Sequence, residues 1–202
     1  MIIGIDIDNT LTEVQDKLNE AAFKYAKELG KEIKDVDDTI EDAKNNGDIF
    51  IKKFKFTYEE LKYFLKDIQE EITNNAKPRS GAVETIKRLR KDGHKIYIVT
   101  ARDSEFHDDP YELSKKWLDG NNIEYDKLIV NAREKAPVCK AEKIDLFIDD
   151  QLLNCLQIAK EGIKTIRISN EEKELVSIII VLAFKWIKKF SNWSKFKKSW
   201  RI

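Results

Sequence analysis

The chain has 202 residues, of which 42% are hydrophobic, and its 37 basic and 37 acidic residues give a formal net charge near zero. A chain of this length can bury one domain core together with a small insertion. The even charge balance provides no global field to attract a polyanion, which argues against a general nucleic-acid binder.

Short apolar runs rich in β-branched residues predict buried parallel strands, and segments of helical periodicity separate them. Glycine and proline mark several helix ends; the helix at 82–91, for example, follows Pro78-Arg79-Ser80-Gly81 and stops before Gly93. The alternation predicts an α/β fold with a parallel sheet and right-handed crossovers. The predicted strands are 2–7, 95–100, 125–130, 146–148 and 164–168, and the predicted helices are 82–91, 110–120 and 152–161.

The alternation is interrupted after the first strand. Residues 14–77 carry almost no strand signal and show helical periodicity near 14–29, 36–44 and 58–74. We therefore predict a core domain made of 1–13 and 78–202, with a helical insertion at 14–77 that has its own small core. The candidate residues of that small core are Phe23, Tyr25, Phe50, Phe54, Phe56, Leu61, Phe64 and Ile68.

The C-terminal tail, 185–202, has seven Lys and Arg residues and no acids. Its aromatic residues Trp186, Phe190, Trp193 and Trp200 follow a helical spacing. We favour a final element that packs this aromatic face on the domain, with a short strand at 187–190 as one form of it. Binding to a membrane surface is the alternative interpretation.

Polar side chains stand where three of the predicted strands end. Asp6 and Asp8 lie at the end of the first strand and would point the same way if the strand continued through them. Thr100 ends the strand at 95–100, and Asp149 and Asp150 follow the strand at 146–148. Ligands of open α/β sheets bind at the carboxyl ends of the strands. Because an all-oxygen ligand set suits Mg²⁺, we predict a site for Mg²⁺ and a phosphoryl group there.

These residues carry a family resemblance. Asp6-Ile-Asp8-Asn9-Thr10, Thr100, Lys135 and Asp149-Asp150, in that order, resemble the four motifs of the haloacid dehalogenase superfamily of phosphatases. Within it, the chain is similar to the nucleotidase branch, which includes 5'(3')-deoxyribonucleotidases and a set of bacterial nucleotidases. The resemblance implies a Rossmann-like core with an inserted α-helical cap. It also implies Mg²⁺-dependent hydrolysis of a phosphate monoester through an aspartyl-phosphate.

The resemblance further implies roles for individual residues. Asp6 would be the nucleophile, and Asp8 would protonate the leaving oxygen and then activate water. Mg²⁺ would be held by Asp6, the backbone carbonyl of Asp8, and Asp149, while Asp150 would orient metal-bound water. The phosphoryl oxygens would be held by Thr100, Ala101 and Lys135.

The sequence leaves alternatives open at individual positions. Lys140 and Lys143 also precede the strand that carries Asp149, so either could replace Lys135. Arg102 could bind the substrate phosphate, or it could pair with Asp103 or Asp149. We expect His94 and His107 to be solvated surface residues.

The sequence also leaves alternatives for the function as a whole. A receiver domain of signalling proteins uses similar residues, but its paired acids come first and its lysine last, the reverse of the order here. A phosphate-binding regulatory module without catalysis would be favoured by a missing motif, and none of the four is missing. Nucleoside 5'-monophosphates are the leading substrates by resemblance, and a sugar phosphate or another small metabolite phosphate is the alternative.

Three features bear on where the protein works. We expect no signal peptide, because the first residues follow a strand pattern that contains two acids. The longest apolar run, 175–184, is well short of the roughly 20 residues that span a bilayer. Cys139 and Cys155 lack metal-ligand spacing, and we expect both to be buried inside the fold. Their small number favours a protein of a reducing compartment. We expect a cytoplasmic enzyme that binds a small phosphorylated metabolite and no membrane; an oligomer is compatible with the sequence.

Overall fold

The structure, a computed structural model, describes residues 1–33 and 49–168 together with the backbone of 187–190. The strands in these residues are β1 (Ile2–Ile5), β2 (Lys95–Val99), β3 (Lys127–Ile129), β4 (Leu146–Asp149), β5 (Lys164–Ile168) and β6 (Ile187–Phe190). They form one sheet in the order β3-β2-β1-β4-β5-β6, and every pair of neighbouring strands is parallel. The predicted parallel α/β fold is therefore confirmed.

The sheet is covered on both faces, because its strand residues alternate between two apolar clusters. Leu146 and Ile148 pack in one cluster, and Phe147 between them packs in the other. Ile5 pairs with Ile98 of β2 and with Ile148 of β4, so these three central strands end at the same level. The side chains that follow them are thereby brought to one edge of the sheet.

The helices agree with the periodicity of the sequence in most places. The helix Pro110–Gly120 begins at the proline of its predicted start, where Asp109 accepts hydrogen bonds from the backbone N–H groups of Tyr111 (3.1 Å) and Glu112 (2.9 Å). Residues 58–74 form one continuous helical stretch with a π-helical turn at Phe64–Gln69. The helices are α1 (Gln15–Glu28), α2 (Ile49–Phe54), α3 (Tyr58–Tyr63), α4 (Glu70–Asn74), α5 (Ala82–Lys91), α6 (Pro110–Gly120), α7 (Lys135–Ala141) and α8 (Leu152–Lys160).

The chain divides into two compact units. The sheet unit comprises Met1–Glu13, Lys77–Ser104 and Asp109–Ile202, and the helical unit comprises Val14–Ala76 together with Glu105–Asp108. The helical unit has an aromatic core, in which the rings of Phe50 and Phe64 lie 4.9 Å apart. The predicted helix at 36–44 lies outside the described residues.

One candidate for the core of the helical unit is wrong. Phe23 is 54% exposed, because α1 buries the stripe formed by Leu18, Ala22 and Ala26, and the position after Ala22 points about 100° away from it. Tyr25 and Ile68 are partly buried against the core.

The tetrapeptide Glu105–Asp108, which we call the strap, leaves the sheet unit and packs on the helical unit. Phe106 contacts the aromatic core of the helical unit. Tyr58 donates a hydrogen bond to the Glu105 carboxylate (2.7 Å), and Lys66 forms an ion pair with Asp108 (2.7 Å).

The expectation that His107 is a solvated residue is wrong. His107 is 8% exposed, and its Nδ1 lies 3.0 Å from a carboxylate oxygen of Glu70. The polar neighbours that favoured a surface position hold the strap to the helical unit instead. His94 is partly exposed, and its Nδ1 lies 3.4 Å from the N-terminal amino group.

The last described strand, β6, pairs in parallel with β5, and it coincides with the strand suggested at 187–190. The rest of the aromatic tail lies outside the described residues. No helix within 1–33 or 49–168 is long and apolar enough to cross a membrane. Cys139 and Cys155 are both buried thiols without a disulfide, as expected.

Candidate active site

Asp6 stands directly after β1 and is held there by backbone pairing. Its N–H donates to the carbonyl of Ile148 across 3.0 Å, and the residue is 5% exposed. The first strand ends at Ile5 rather than at residue 7, so the chain turns between the two acids. The turn is closed by hydrogen bonds from the N–H groups of Leu11 (2.8 Å) and Thr12 (3.1 Å) to the carbonyl of residue 7.

Three of the predicted acids form one cluster. Carboxylate oxygens of Asp6, Asp149 and Asp150 all lie within 4.8 Å of one another. Lys135 joins this cluster, because its Nζ lies 2.8 Å from Oδ1 of Asp6 and 2.7 Å from Oδ2 of Asp149. The acids come from the ends of two neighbouring strands, as the sequence predicts, and the lysine is the first residue of α7.

The structure distinguishes Lys135 from the other two lysines. Lys135 is 3% exposed and lies among the acids. Lys140 pairs with Glu161 on the surface, and Lys143 is exposed. Of these three residues, Lys135 is therefore the one whose ammonium group lies in the cluster.

Burial shapes the electrostatics of the cluster. Burial raises the pKa of Asp6 to about 7; Asp149 and Asp8 add to this rise and Lys135 opposes it. Burial also raises the pKa of Asp150 well above its usual value, with contributions from Asp149 and Asp6. For Lys135, burial disfavours the ammonium, but the two carboxylates outweigh it and raise its pKa above the ordinary value. Buried acids that destabilise each other's charge are stabilised by additional positive charge.

Further side chains orient the two terminal acids. Asn154 Nδ2 donates to Oδ1 (3.2 Å) and Oδ2 (3.1 Å) of Asp149, and the N–H of Gln151 donates to Oδ1 (2.8 Å). Thr10 Oγ donates to Asp150 Oδ1 across 3.2 Å. The sequence contains a signal for Asn154, since it stands in the first turn of the helix that follows the two acids.

The loop after β2 contains Thr100 and Ala101. Thr100 is 1% exposed, and its Oγ accepts a hydrogen bond from the N–H of Arg102 (3.3 Å), whereas Ala101 is exposed. Both lie at the edge of the sheet where β1 and β4 end.

Arg102 binds Asp8, an acid that the sequence did not suggest as its partner. Its Nε donates to Oδ2 of Asp8 (2.9 Å) and its Nη2 donates to Oδ1 (2.8 Å). Asp103 is engaged by Arg133. The carboxylate of Asp8 therefore contacts a guanidinium group, while the three-carboxylate cluster contains Asp6, Asp149 and Asp150.

Arg79 holds the turn that follows Asp8, a role that the sequence did not reveal. Its Nε donates to the carbonyls of Asn9 (3.1 Å) and Thr12 (2.8 Å), and its N–H donates to the carbonyl of Leu11 (2.6 Å). These contacts fix the backbone that positions both acids of the first motif.

Comparisons with known proteins identify relatives of this chain by family and by fold. A family model described as haloacid dehalogenase-like hydrolase matches residues 1–112. A Bacillus cereus protein with the provisional name of nucleotidase is 31% identical over 157 residues, which are 75% of this chain and 77% of that protein. A Bacillus subtilis protein with the same provisional name is 30% identical over 192 residues, which are 92% of this chain and 89% of that protein.

Among solved structures, a haloacid dehalogenase-like family hydrolase from Streptococcus pneumoniae has a similar fold. It superposes with a TM-score of 0.66 at 14% identity and covers 99% of this chain and 98% of its own. At this identity the likeness concerns the fold alone.

Proposed function

Since the chain belongs to the haloacid dehalogenase-like hydrolases, we propose that it hydrolyses a phosphate monoester in a Mg²⁺-dependent reaction through an aspartyl-phosphate. The hydrolase class follows from the family. The arrangement of Lys135 between the buried carboxylates of Asp6 and Asp149 supports the phosphoryl chemistry most strongly. It places a fixed positive charge beside the proposed nucleophile, where a phosphoryl dianion needs neutralisation.

The side chains of the cluster fit Mg²⁺. The donors are carboxylate oxygens within 4.8 Å of one another, without the sulfur or imidazole ligands that favour softer ions. Asp6, Asp149 and the backbone carbonyl of Asp8 would hold the ion, and Asp150 would orient its water. When bound, Mg²⁺ neutralises charge on the phosphoryl oxygens.

In the first half of the proposed reaction, a carboxylate oxygen of Asp6 forms a bond to phosphorus. The bond from phosphorus to the ester oxygen breaks, and its electron pair stays on that oxygen, which receives a proton from Asp8. Thr100, Ala101 and Lys135 bind the phosphoryl oxygens.

In the second half, water hydrolyses the aspartyl-phosphate. The water oxygen bonds to phosphorus, the bond to Asp6 breaks, and Asp8 takes up the proton. Orthophosphate leaves, and the carboxylate of Asp6 is restored. The same residue thus serves as acid in one half and as base in the other.

We propose nucleoside 5'-monophosphates as the substrate class, on the basis of the provisional names of the two relatives. The helical unit is the proposed cap, and it would select the leaving group and limit access of water. Cytoplasmic location stays a prediction.

A hydrolysis panel tests the proposal. Purified protein is assayed with nucleoside monophosphates, sugar phosphates, other small phosphate esters and a 2-haloacid, each with Mg²⁺ and with EDTA. We expect orthophosphate to be released from nucleoside 5'-monophosphates, and we expect EDTA to abolish this release. A preference for sugar phosphates would replace the substrate class and keep the mechanism. Activity on the haloacid alone, or phosphatase activity that EDTA leaves intact, would contradict the proposed chemistry.

A further inference from the structure

Arg102 follows Thr100 and Ala101 at the end of β2, and its guanidinium holds both oxygens of the Asp8 carboxylate. The two donor–acceptor distances are 2.9 Å and 2.8 Å. The side chain of Arg102 is 4% exposed, and that of Asp8 is 24% exposed. A two-point contact fixes the plane and direction of a carboxylate, which a single donor leaves free to rotate.

The loop that carries Arg102 is itself held in place. The carbonyl of Arg102 accepts a hydrogen bond from the N–H of Asn131 (2.8 Å), and the N–H of Ser104 donates to Oδ1 of Asn131 (2.9 Å). Asp103, the residue after Arg102, pairs with Arg133. The segment after β3 therefore braces the loop after β2, and Arg102 approaches Asp8 from a supported backbone.

We propose that Arg102 is a positioning residue for Asp8 in the hydrolysis of the aspartyl-phosphate, an inference that rests on the proposed function. After Asp8 has given its proton to the leaving oxygen it is a carboxylate, and an ionised carboxylate accepts a bidentate arginine. The water oxygen then bonds to phosphorus, and the phosphorus–oxygen bond to Asp6 breaks with its electron pair on Asp6. The proton of the water passes to Asp8, whose oxygens Arg102 keeps in a fixed direction.

The two halves of the reaction can be separated by steady-state kinetics. The ratio kcat/KM contains the steps up to departure of the leaving group, whereas kcat also contains hydrolysis of the aspartyl-phosphate. Substitution of a residue that acts only in the second half lowers kcat and KM together and leaves kcat/KM unchanged. The aspartyl-phosphate then accumulates, and p-nitrophenyl phosphate shows it as a burst of nitrophenolate.

The experiment compares wild type, Arg102→Gln and Arg102→Lys with p-nitrophenyl phosphate and Mg²⁺, in the steady state and by rapid mixing. For Arg102→Gln we expect kcat to fall about 10- to 100-fold, a part of the roughly 10²–10⁴ that a general base contributes. We expect kcat/KM to stay within about threefold and a burst near one nitrophenolate per active site. Arg102→Lys keeps the positive charge but loses the two-point hydrogen bonding of the guanidinium group, so it should show the same pattern with a smaller loss of kcat. Circular dichroism checks the fold of each variant.

Two further variants test whether the effect passes through Asp8. In an Asp8→Asn background, Arg102→Gln should cause no additional loss of kcat, because the group that it positions is gone. Arg133→Gln removes the neighbouring arginine–aspartate pair of the same loop and should produce no burst. A burst from Arg133→Gln as large as that from Arg102→Gln would show that general loosening of the loop causes it, and would overturn the proposal.

Other outcomes overturn the proposal differently. Equal losses of kcat and kcat/KM without a burst, together with weaker inhibition by orthophosphate, would place Arg102 on the substrate phosphate. A kcat loss that adds fully to that of Asp8→Asn would also overturn the role. If wild type hydrolysed no phosphate ester, the proposed function would fail first, and this role with it; a working wild type with unchanged kinetics in Arg102→Gln removes the role alone.

Discussion

Lys135 donates a hydrogen bond to Oδ2 of Asp149 across 2.7 Å, and so joins the first residue of α7 to the last residue of β4. Both side chains are buried, with exposures of 3% and 0%. An ion pair in such a position loses much of its hydration, and removing Lys135 would leave the buried carboxylates of Asp6 and Asp149 without its charge. This pair therefore makes the position of the strand-terminal acid depend on the helix that precedes it in the chain.

Asp6→Asn should abolish turnover while the fold persists. The side-chain amide of Asn cannot attack phosphorus. The backbone N–H of residue 6 can still donate its hydrogen bond to the carbonyl of Ile148. Orthophosphate release is measured alongside circular dichroism, with Asp16→Asn in the helical unit as a control. We expect residual activity below roughly a thousandth of wild type. A well-folded variant with more activity than this would mean that Asp6 is not the nucleophile.

Asp149→Asn and Asp150→Asn should differ in their need for metal. Asp149 is the proposed ligand, so its loss should raise the Mg²⁺ concentration for half-maximal activity steeply. Asp150 is proposed to orient bound water. The loss of such a partner typically lowers affinity or activity about 10- to 100-fold. Mg²⁺ titrations of the two variants run in parallel give the comparison. A steeper requirement in Asp150→Asn would exchange the two roles.

Gly4→Ala should destabilise the sheet. A Cβ at this position would lie 2.5 Å from Cδ2 of Phe147, in the middle of two paired central strands. Crowding of this kind costs about 1–3 kcal/mol of unfolding free energy. Chemical denaturation measures it, with Gly120→Ala as the matched control, because a Cβ there meets no atom within 4 Å. Equal stability of the two variants would show that Phe147 moves aside without cost.

Both thiols should resist alkylation in the folded protein. Burial raises the pKa of Cys139 to about 12 and raises that of Cys155 well above its usual value, so neither forms much thiolate near neutral pH. We expect iodoacetamide to react more than about a hundredfold more slowly than in guanidinium chloride. Mass spectrometry counts the modified residues. Rapid labelling under native conditions would indicate that the sheet unit opens around α7 or α8.

The sequence predicted the sheet and most helices because their periodicity is local. It also predicted that Asp6, Asp149 and Asp150 converge, since parallel strands end at a common edge. It favoured Lys135 but could not exclude Lys140 and Lys143, because the choice depends on where α7 begins relative to β4. Nor could it identify the partner of Arg102, which depends on the turn that carries Asp8 away from β1.

The strap was the feature least accessible from the sequence. Phe106 and His107 stand among polar residues, and the pattern there is typical of a solvated loop. Within the strap, His107 contacts Glu70 and Asp108 pairs with Lys66, and both partners stand about 40 positions earlier in the chain. Contacts of this range leave no periodic trace in the chain.

The strap has a consequence for comparing and recombining related enzymes. The chain passes between the two units at four points, after Glu13, Ala76, Ser104 and Asp108, rather than at the two points of a simple insertion. An exchange of the helical unit with that of a relative would therefore have to transfer Glu105–Asp108 as well as 14–76. A chimera that moved the long segment alone would keep a foreign tetrapeptide against its new aromatic core, with Phe106 as the mismatched side chain.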